Sequence, residues 1–258
     1  MSRLVYAIDR NVRRLLAAIE SLHTGVLLGL LRRGSLERLT SISYDARSLY
    51  LDADHNASGL FDWERDALDR HFPPGSKLLL GGCGGGRELL ALAAAGFVVD
   101  AFDPNSGYVA SAQRALAKTE LPGRVLRAAP DSVPDGFAGP YDGLVLGWGM
   151  YTHVAGRQQR IAMLRGLHSR AVAGAPILLS FLARQERSRR DRLQHGVARI
   201  FAALSFNRRR PEVGDDLNQQ AFVHWFDETE LSNEMREAGF RLAAFSPRPY
   251  GHAIGLRD

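Results

Sequence analysis

The chain has 258 residues, enough for one well-cored α/β domain with additions at its edges and short for two full domains. Hydrophobic content of 45% and charged content of 24% are ordinary for a soluble globular protein, and the formal charge of +5 permits contact with nucleic acid or anionic lipid. The single cysteine, Cys83, excludes an intrachain disulfide and any multi-cysteine metal site, and it suits a reducing cytoplasm.

Residues 8–33 read as a helix, because Leu15, Ile19, Leu22, Val26 and Leu30 recur at spacings of three and four. Arg32, Arg33 and Gly34 make its end. Its apolar run Gly25–Leu31 is too short to span a bilayer, which takes about 20 residues. Packing on its own domain, covering an active site, pairing in a homodimer and lying on a membrane surface all remain open to this helix. Residues 35–72 read as two further helical pieces, with the periodicity broken between Tyr50 and Glu64. Ser58 or Asp62 is placed to cap the second, which runs to about His71. Residues 1–72 are thus expected to form an N-terminal helical cap, ended by Pro73-Pro74-Gly75.

From residue 73 to 258 the pattern is that of a Rossmann-like domain. Strands are expected at Lys77–Gly81, Phe97–Phe102, Arg124–Ala128, Asp142–Leu146 and Ala175–Leu182, with helices at Arg87–Ala95, Ser106–Ala117 and about 153–170. Strands alternating with helices imply a parallel sheet with right-handed crossovers and helices on both faces. A helix at Asp227–Ala238 precedes two runs, Phe240–Phe245 and Gly251–Leu256, whose short connection requires an antiparallel hairpin. The fold class expected is α/β, with a seven-stranded, mostly parallel sheet. An arginine-rich insert occupies 183–225, and its stretch Arg184–Arg192 reads as a solvated face or an anion-binding segment.

The first strand runs into Gly82-Cys83-Gly84-Gly85-Gly86. Glycines suit a sharp turn and the close approach of a ligand to the main chain, and the following helix offers free N–H groups. The dinucleotide spacing G-x-G-x-x-G fails, because its third glycine would fall on Arg87. The spacing present is G-x-G-x-G, at Gly82, Gly84 and Gly86. Asp103 ends the second strand, placed to accept from ribose hydroxyls, and Asp100 lies inside the apolar run. With the segment Tyr141–Val154 and the terminal hairpin, this loop and Asp103 resemble the class I S-adenosylmethionine-dependent methyltransferases.

The resemblance implies S-adenosylmethionine as cofactor and a methyl acceptor that is a small molecule, methylated at oxygen or nitrogen. It implies cofactor contacts at Gly82, Cys83, Gly84, Gly86, Asp103, Pro104, Gly147, Trp148 and, from the cap, Tyr50 with His55 beside it. Two positions depart from the family: Leu80 stands where an acidic residue is common, and the aspartate expected after strand 3 is either Asp131, displaced beside Ser132, or a helix cap. Gly147-Trp148-Gly149-Met150 stands where the N6-adenine enzymes carry their motif, which disfavours that substrate, and with no basic patch readable from composition nucleic acid is not the expected partner. Methyl transfer needs a base only where the acceptor must lose a proton. His153 after strand 4 is the first candidate, His224 the second, and His252 a third. No metal is expected. A nicotinamide-dependent oxidoreductase and a non-catalytic S-adenosylmethionine-binding scaffold are the alternatives.

Overall fold

The computed structural model describes residues 2–119, 121–184 and 189–258. Within the arginine-rich stretch, residues 185–188 lie outside the described residues. Four helices open the chain: α1 (Ser2–Leu30), α2 (Arg33–Asp45), α3 (Ala53–Ala57) and α4 (Asp62–His71), with a 3-10 turn at Ser48–Leu51. Neither Ser58 nor Asp62 caps α4. The Phe61 N–H instead donates to Glu64 Oε2 at 2.8 Å, and the Ser58 hydroxyl donates to His55 O. None of the described helices is long and apolar enough to cross a membrane.

The remainder is β1 (Lys77–Gly81), α5 (Arg87–Ala94), β2 (Val98–Asp103), α6 (Ser106–Ala117), β3 (Gly123–Arg127), β4 (Gly143–Leu146), α7 (Arg157–His168), β5 (Pro176–Ala183), α8 (Arg189–Leu204), β6 (Asp215–Asn218), β7 (Ala221–Phe226), α9 (Glu228–Glu237), β8 (Phe240–Ser246) and β9 (Gly251–Arg257). The strands β3-β2-β1-β4-β5 run parallel, and β9 lies antiparallel between β5 and β8. These are the seven strands expected from the sequence. The insert adds β6 and β7, which pair with each other antiparallel, and β7 joins the end of β5 through Leu182↔Trp225 and Ala183↔Phe226.

Side chains alternate across each strand, so both faces of the sheet are apolar and both are covered. Leu78, Leu80, Val99, Val145 and Leu178 pack with Ala67 and Leu68 of α4, Leu89 and Leu92 of α5, and Val109, Ala112 and Leu116 of α6. Leu79, Phe102, Leu144, Leu146, Ile177 and Leu179 pack on the other face with Ile161, Leu164 and Leu167 of α7 and Leu231 and Met235 of α9. A smaller core of Leu28, Leu36, Ala155, Ala198 and Phe222 ties α1, α2 and α8 to β7. The α1–α8 contact is close because glycines face it. A Cβ on Gly25 would lie 2.7 Å from Gln194 O, and one on Gly29 2.5 Å from Ala198 O.

Candidate functional site

The site forms at the carboxyl ends of the parallel strands, where α/β sheets bind ligands. Between β1 and α5 the chain turns through Gly82, Gly84 and Gly86, whose φ values of 73°, 52° and 116° lie in the left-handed region that favours glycine. Gly85 is required by space: a Cβ there would lie 1.8 Å from Tyr50 O of the cap. Cys83 is buried and its Sγ faces Gly84 O. Burial pushes its thiol well above the usual range, so it remains an inert small residue.

Asp103 closes β2 and braces the loop. Its Oδ2 accepts from Gly84 N at 3.0 Å and its Oδ1 from Asn105 N at 2.8 Å. A carboxylate has about four lone-pair positions, so these bonds leave capacity for two more donors. Burial raises its pKa to about 6 against the two amide bonds, which lower it. Asp100, in contrast, is committed to structure, accepting from Tyr141 Oη at 2.7 Å and pairing with Arg124.

Asp103 opens on a cavity of about 570 Å³, lined also by Gly82, Gly84, Pro104, Tyr50, Trp148 and His153. A second cavity, of about 540 Å³, shares Tyr44, Tyr50, Trp148 and His153 and extends to Arg47, Thr152, Gln219 and Tyr250. The cap forms the roof of both. Tyr108 of α6 fixes it by donating its hydroxyl to Tyr44 O, and Tyr50 stacks on Tyr44 with ring centroids 5.7 Å apart.

His153 sits where the two cavities meet. Its Nδ1 lies 2.8 Å from Phe222 O of β7, and a carbonyl only accepts, so Nδ1 carries the hydrogen. Nε2 is therefore an acceptor, and it takes the hydroxyl hydrogen of Tyr44 at 2.6 Å. Burial lowers the imidazole pKa to about 4; the Phe222 carbonyl raises it and nearby Arg47 lowers it further. His153 is thus a neutral imidazole at the cavity junction, its accepting nitrogen turned to Tyr44.

The other sequence-derived residues fall elsewhere. Asp131 pairs with Arg33 of α2 at 2.8 Å, and Ser132 turns back on Ala129, while Ala128, Ala129 and Pro130 line the cavity beside them. Gly147 is packed against Glu88, whose Oε1 accepts from Trp148 N at 2.9 Å. Arg87 is buried and pairs with Glu64 of α4 at 2.7 Å, so it fastens the cap rather than facing solvent. His55 rests its ring against Tyr50 and Trp148, and His252 stacks on Trp63 with centroids 4.9 Å apart.

His224 lines neither cavity. It is fully buried, with Nδ1 2.8 Å from Asp215 and Nε2 2.8 Å from Glu230. Arg160, Arg184 and Arg209 complete a network with Glu212, Glu230, Glu234, Asp227 and Asp215. Glu212, His224 and Glu230 bring ligand-type atoms within 4.8 Å of one another, but guanidinium groups already neutralise that cluster. Of the arginine-rich stretch, Arg184 belongs to this network and Arg190 pairs with Glu20 of α1.

Tyr44, Arg47, Tyr108, Met150 and Tyr250 are site residues that the sequence reading did not find. The one available signal was the recurrence of tyrosine at 44 and 50 beside the broken periodicity.

No family model matches the chain, and no curated protein matches it. Solved structures do. CcbJ methyltransferase from Streptomyces caelestis superposes with TM-score 0.60 at 13% identity, covering 85% of this chain and 98% of its own. The 1,6-didemethyltoxoflavin-N1-methyltransferase of Burkholderia thailandensis, with S-adenosylhomocysteine bound, gives 0.58 at 17% identity and covers 86% of each chain. An S-adenosylmethionine-dependent methyltransferase from Methanosarcina mazei gives 0.57 at 18% identity, covering 77% of this chain and 98% of its own. The chain therefore has the fold of the class I S-adenosylmethionine-dependent methyltransferases.

Proposed function

We propose that the chain is an S-adenosylmethionine-dependent methyltransferase acting on oxygen or nitrogen of a small molecule. The observation that carries this reading is that Asp103 and His153 open on one cavity floored by the glycine loop. The residues fit the cofactor: Asp103 retains acceptor capacity for two ribose hydroxyls, and the loop brings main chain to the cavity without side chains. Gly82, Gly84, Asp103, Pro104 and Tyr50 would hold it, with Cys83 and Gly86 shaping the turn and Trp148 closing one side. Bound there, the cofactor supplies a methyl group activated by a sulfonium.

The chain's own work is then positioning and proton removal. Hydroxyl and protonated amine acceptors lose a proton on methylation, and His153 Nε2 is placed to take it through Tyr44 Oη. Arg47 lines the second cavity, donates to Ser43 Oγ at 3.3 Å and lies over the Tyr44 ring, its guanidinium carbon 4.1 Å from the centroid. It is suited to an acceptor bearing an anionic group. The lone buried Cys83 is consistent with work in a reducing cytoplasm.

Calorimetry with S-adenosylmethionine, S-adenosylhomocysteine and NAD tests the reading. Binding of the first two and not of NAD is expected; binding of NAD alone overturns it. Methyl transfer to a panel of phenols, carboxylates and amines separates the enzyme from a scaffold that only binds.

A further inference from the structure

The first half of α1 carries no buried side chain among the described residues. Every residue from Ile8 to Leu16 is exposed, around the whole circumference of the helix. The contact with α8 that the described residues show includes the Glu20–Arg190 pair, and the segment up to Leu16, about 15 residues or roughly 22 Å of helix, extends beyond it. An isolated helix of that length is marginal in water, so something must cover it.

The exposed residues are ordered. Val5, Ile8, Val12, Leu15, Ile19 and Leu22 follow one another at steps of three and four, and each is between 43% and 62% exposed. This is a heptad stripe. Val5, Val12 and Ile19 take the a positions and Ile8, Leu15 and Leu22 the d positions. β-Branched residues at all three a positions with leucine at two of the three d positions favour two parallel strands. Arg3, Arg10, Arg13 and Arg14 all fall at the outward b, c and f positions, so two parallel copies bring no arginines together on the seam. The face against α8, carrying Ser21, Thr24, Gly25, Leu28 and Gly29, is on the opposite side of the helix. Among the described residues the seam therefore stays free along its length.

We propose that α1 pairs in parallel with α1 of a second copy of this chain, as a two-stranded coiled coil. The area suffices. With Leu16, seven side chains at about 90 Å² of apolar surface each give about 600 Å² per chain. Two copies reach about 1,200 Å², the lower edge of stable interfaces.

The test uses the full chain in light scattering and sedimentation. Wild type is expected at twice its 28.4 kDa mass. Leu15→Glu with Ile19→Glu should halve the observed mass, while Arg14→Glu, on the outward face, should not. Since Cys83 is buried, Val5→Cys adds the one accessible thiol and should cross-link as a dimer on mild oxidation. A monomeric wild type overturns the proposal, and if that monomer sediments with phosphatidylserine vesicles, a lipid surface is the occupant instead. A dimer that survives the double substitution places the interface elsewhere. A dimer in which Val5→Cys does not cross-link rejects the parallel arrangement.

Discussion

Tyr44 donates its hydroxyl hydrogen to Nε2 of His153 at 2.6 Å, and the Phe222 carbonyl on the far side of the ring fixes which nitrogen accepts. The two residues come from parts of the chain 109 positions apart, and the contact exists only because the cap folds over the strand ends. General base catalysis contributes about 10²- to 10⁴-fold. His153→Ala should therefore lower kcat within that range and leave cofactor affinity within a few-fold. Tyr44→Phe should lower kcat as well, and the double variant should be no slower than His153→Ala, because one relay is lost in each. Single-turnover kinetics with calorimetry on the same variants checks this. Additive losses would show that the two act separately.

Asp103 gives the site a pH dependence. Ribose hydroxyls donate, so cofactor binding selects the ionised carboxylate. Its pKa is raised to about 6 by burial. Affinity for S-adenosylhomocysteine should thus be level above pH 6 and weaken about tenfold per unit as the pH falls below it. His153, at about 4, remains neutral over that interval and imposes no limb of its own. Charge-assisted hydrogen bonds contribute about 1.5–3 kcal/mol each, so Asp103→Asn should weaken binding by at least tenfold and remove the limb near pH 6. Calorimetry between pH 5 and 8 on both proteins decides it.

The parallel core was legible because its signals are local. The run Lys77–Gly81 and the helix Ser106–Ala117 have the boundaries read from the sequence, and in the structure the Asn105 side chain caps that helix by accepting from Gly107 N and Tyr108 N. The hairpin β6–β7 was not. Asp215-Asp216-Leu217-Asn218 has poor strand propensity, and its turn places Gln219 and Gln220 at φ 48° and 64° with no glycine to announce it. The placement of His224 was out of reach for the same reason: it lies on β7 rather than in a loop, and its ring points into the charged core. Tyr44 and Arg47 were out of reach because what makes them site residues is the docking of α2, a tertiary event without a motif.

Gly85 tests that docking. A Cβ there would meet Tyr50 O at 1.8 Å, and neither partner is a flexible side-chain end. Gly85→Ala must push the cap off the loop. Overpacking of this kind costs about 1–3 kcal/mol, and in a chain of this size each kcal/mol moves Tm by about 2–4 °C. A lowered Tm together with weaker cofactor binding is expected, since Tyr50 lines the cavity that the shift opens. A variant with wild-type Tm and affinity would show that the cap rides freely over the loop.

His224 separates a structural histidine from a catalytic one. Burial and Arg160 push its pKa down, but its hydrogen bonds to Asp215 and Glu230 outweigh them and raise it above the ordinary 6.5. Its contribution to stability is then complete below pH 6.5 and is lost as the pH rises through the raised value. Removing one partner from a buried charged network costs about 3–5 kcal/mol, because the remaining charges stay buried. His224→Leu should therefore lower Tm by roughly 6–20 °C at neutral pH and flatten the decline of stability on the alkaline side. The folded variant, assayed well below its Tm, should retain most of its turnover, since no atom of His224 reaches the cavity that His153 occupies. A large loss of kcat at unchanged Tm would instead return the base to His224.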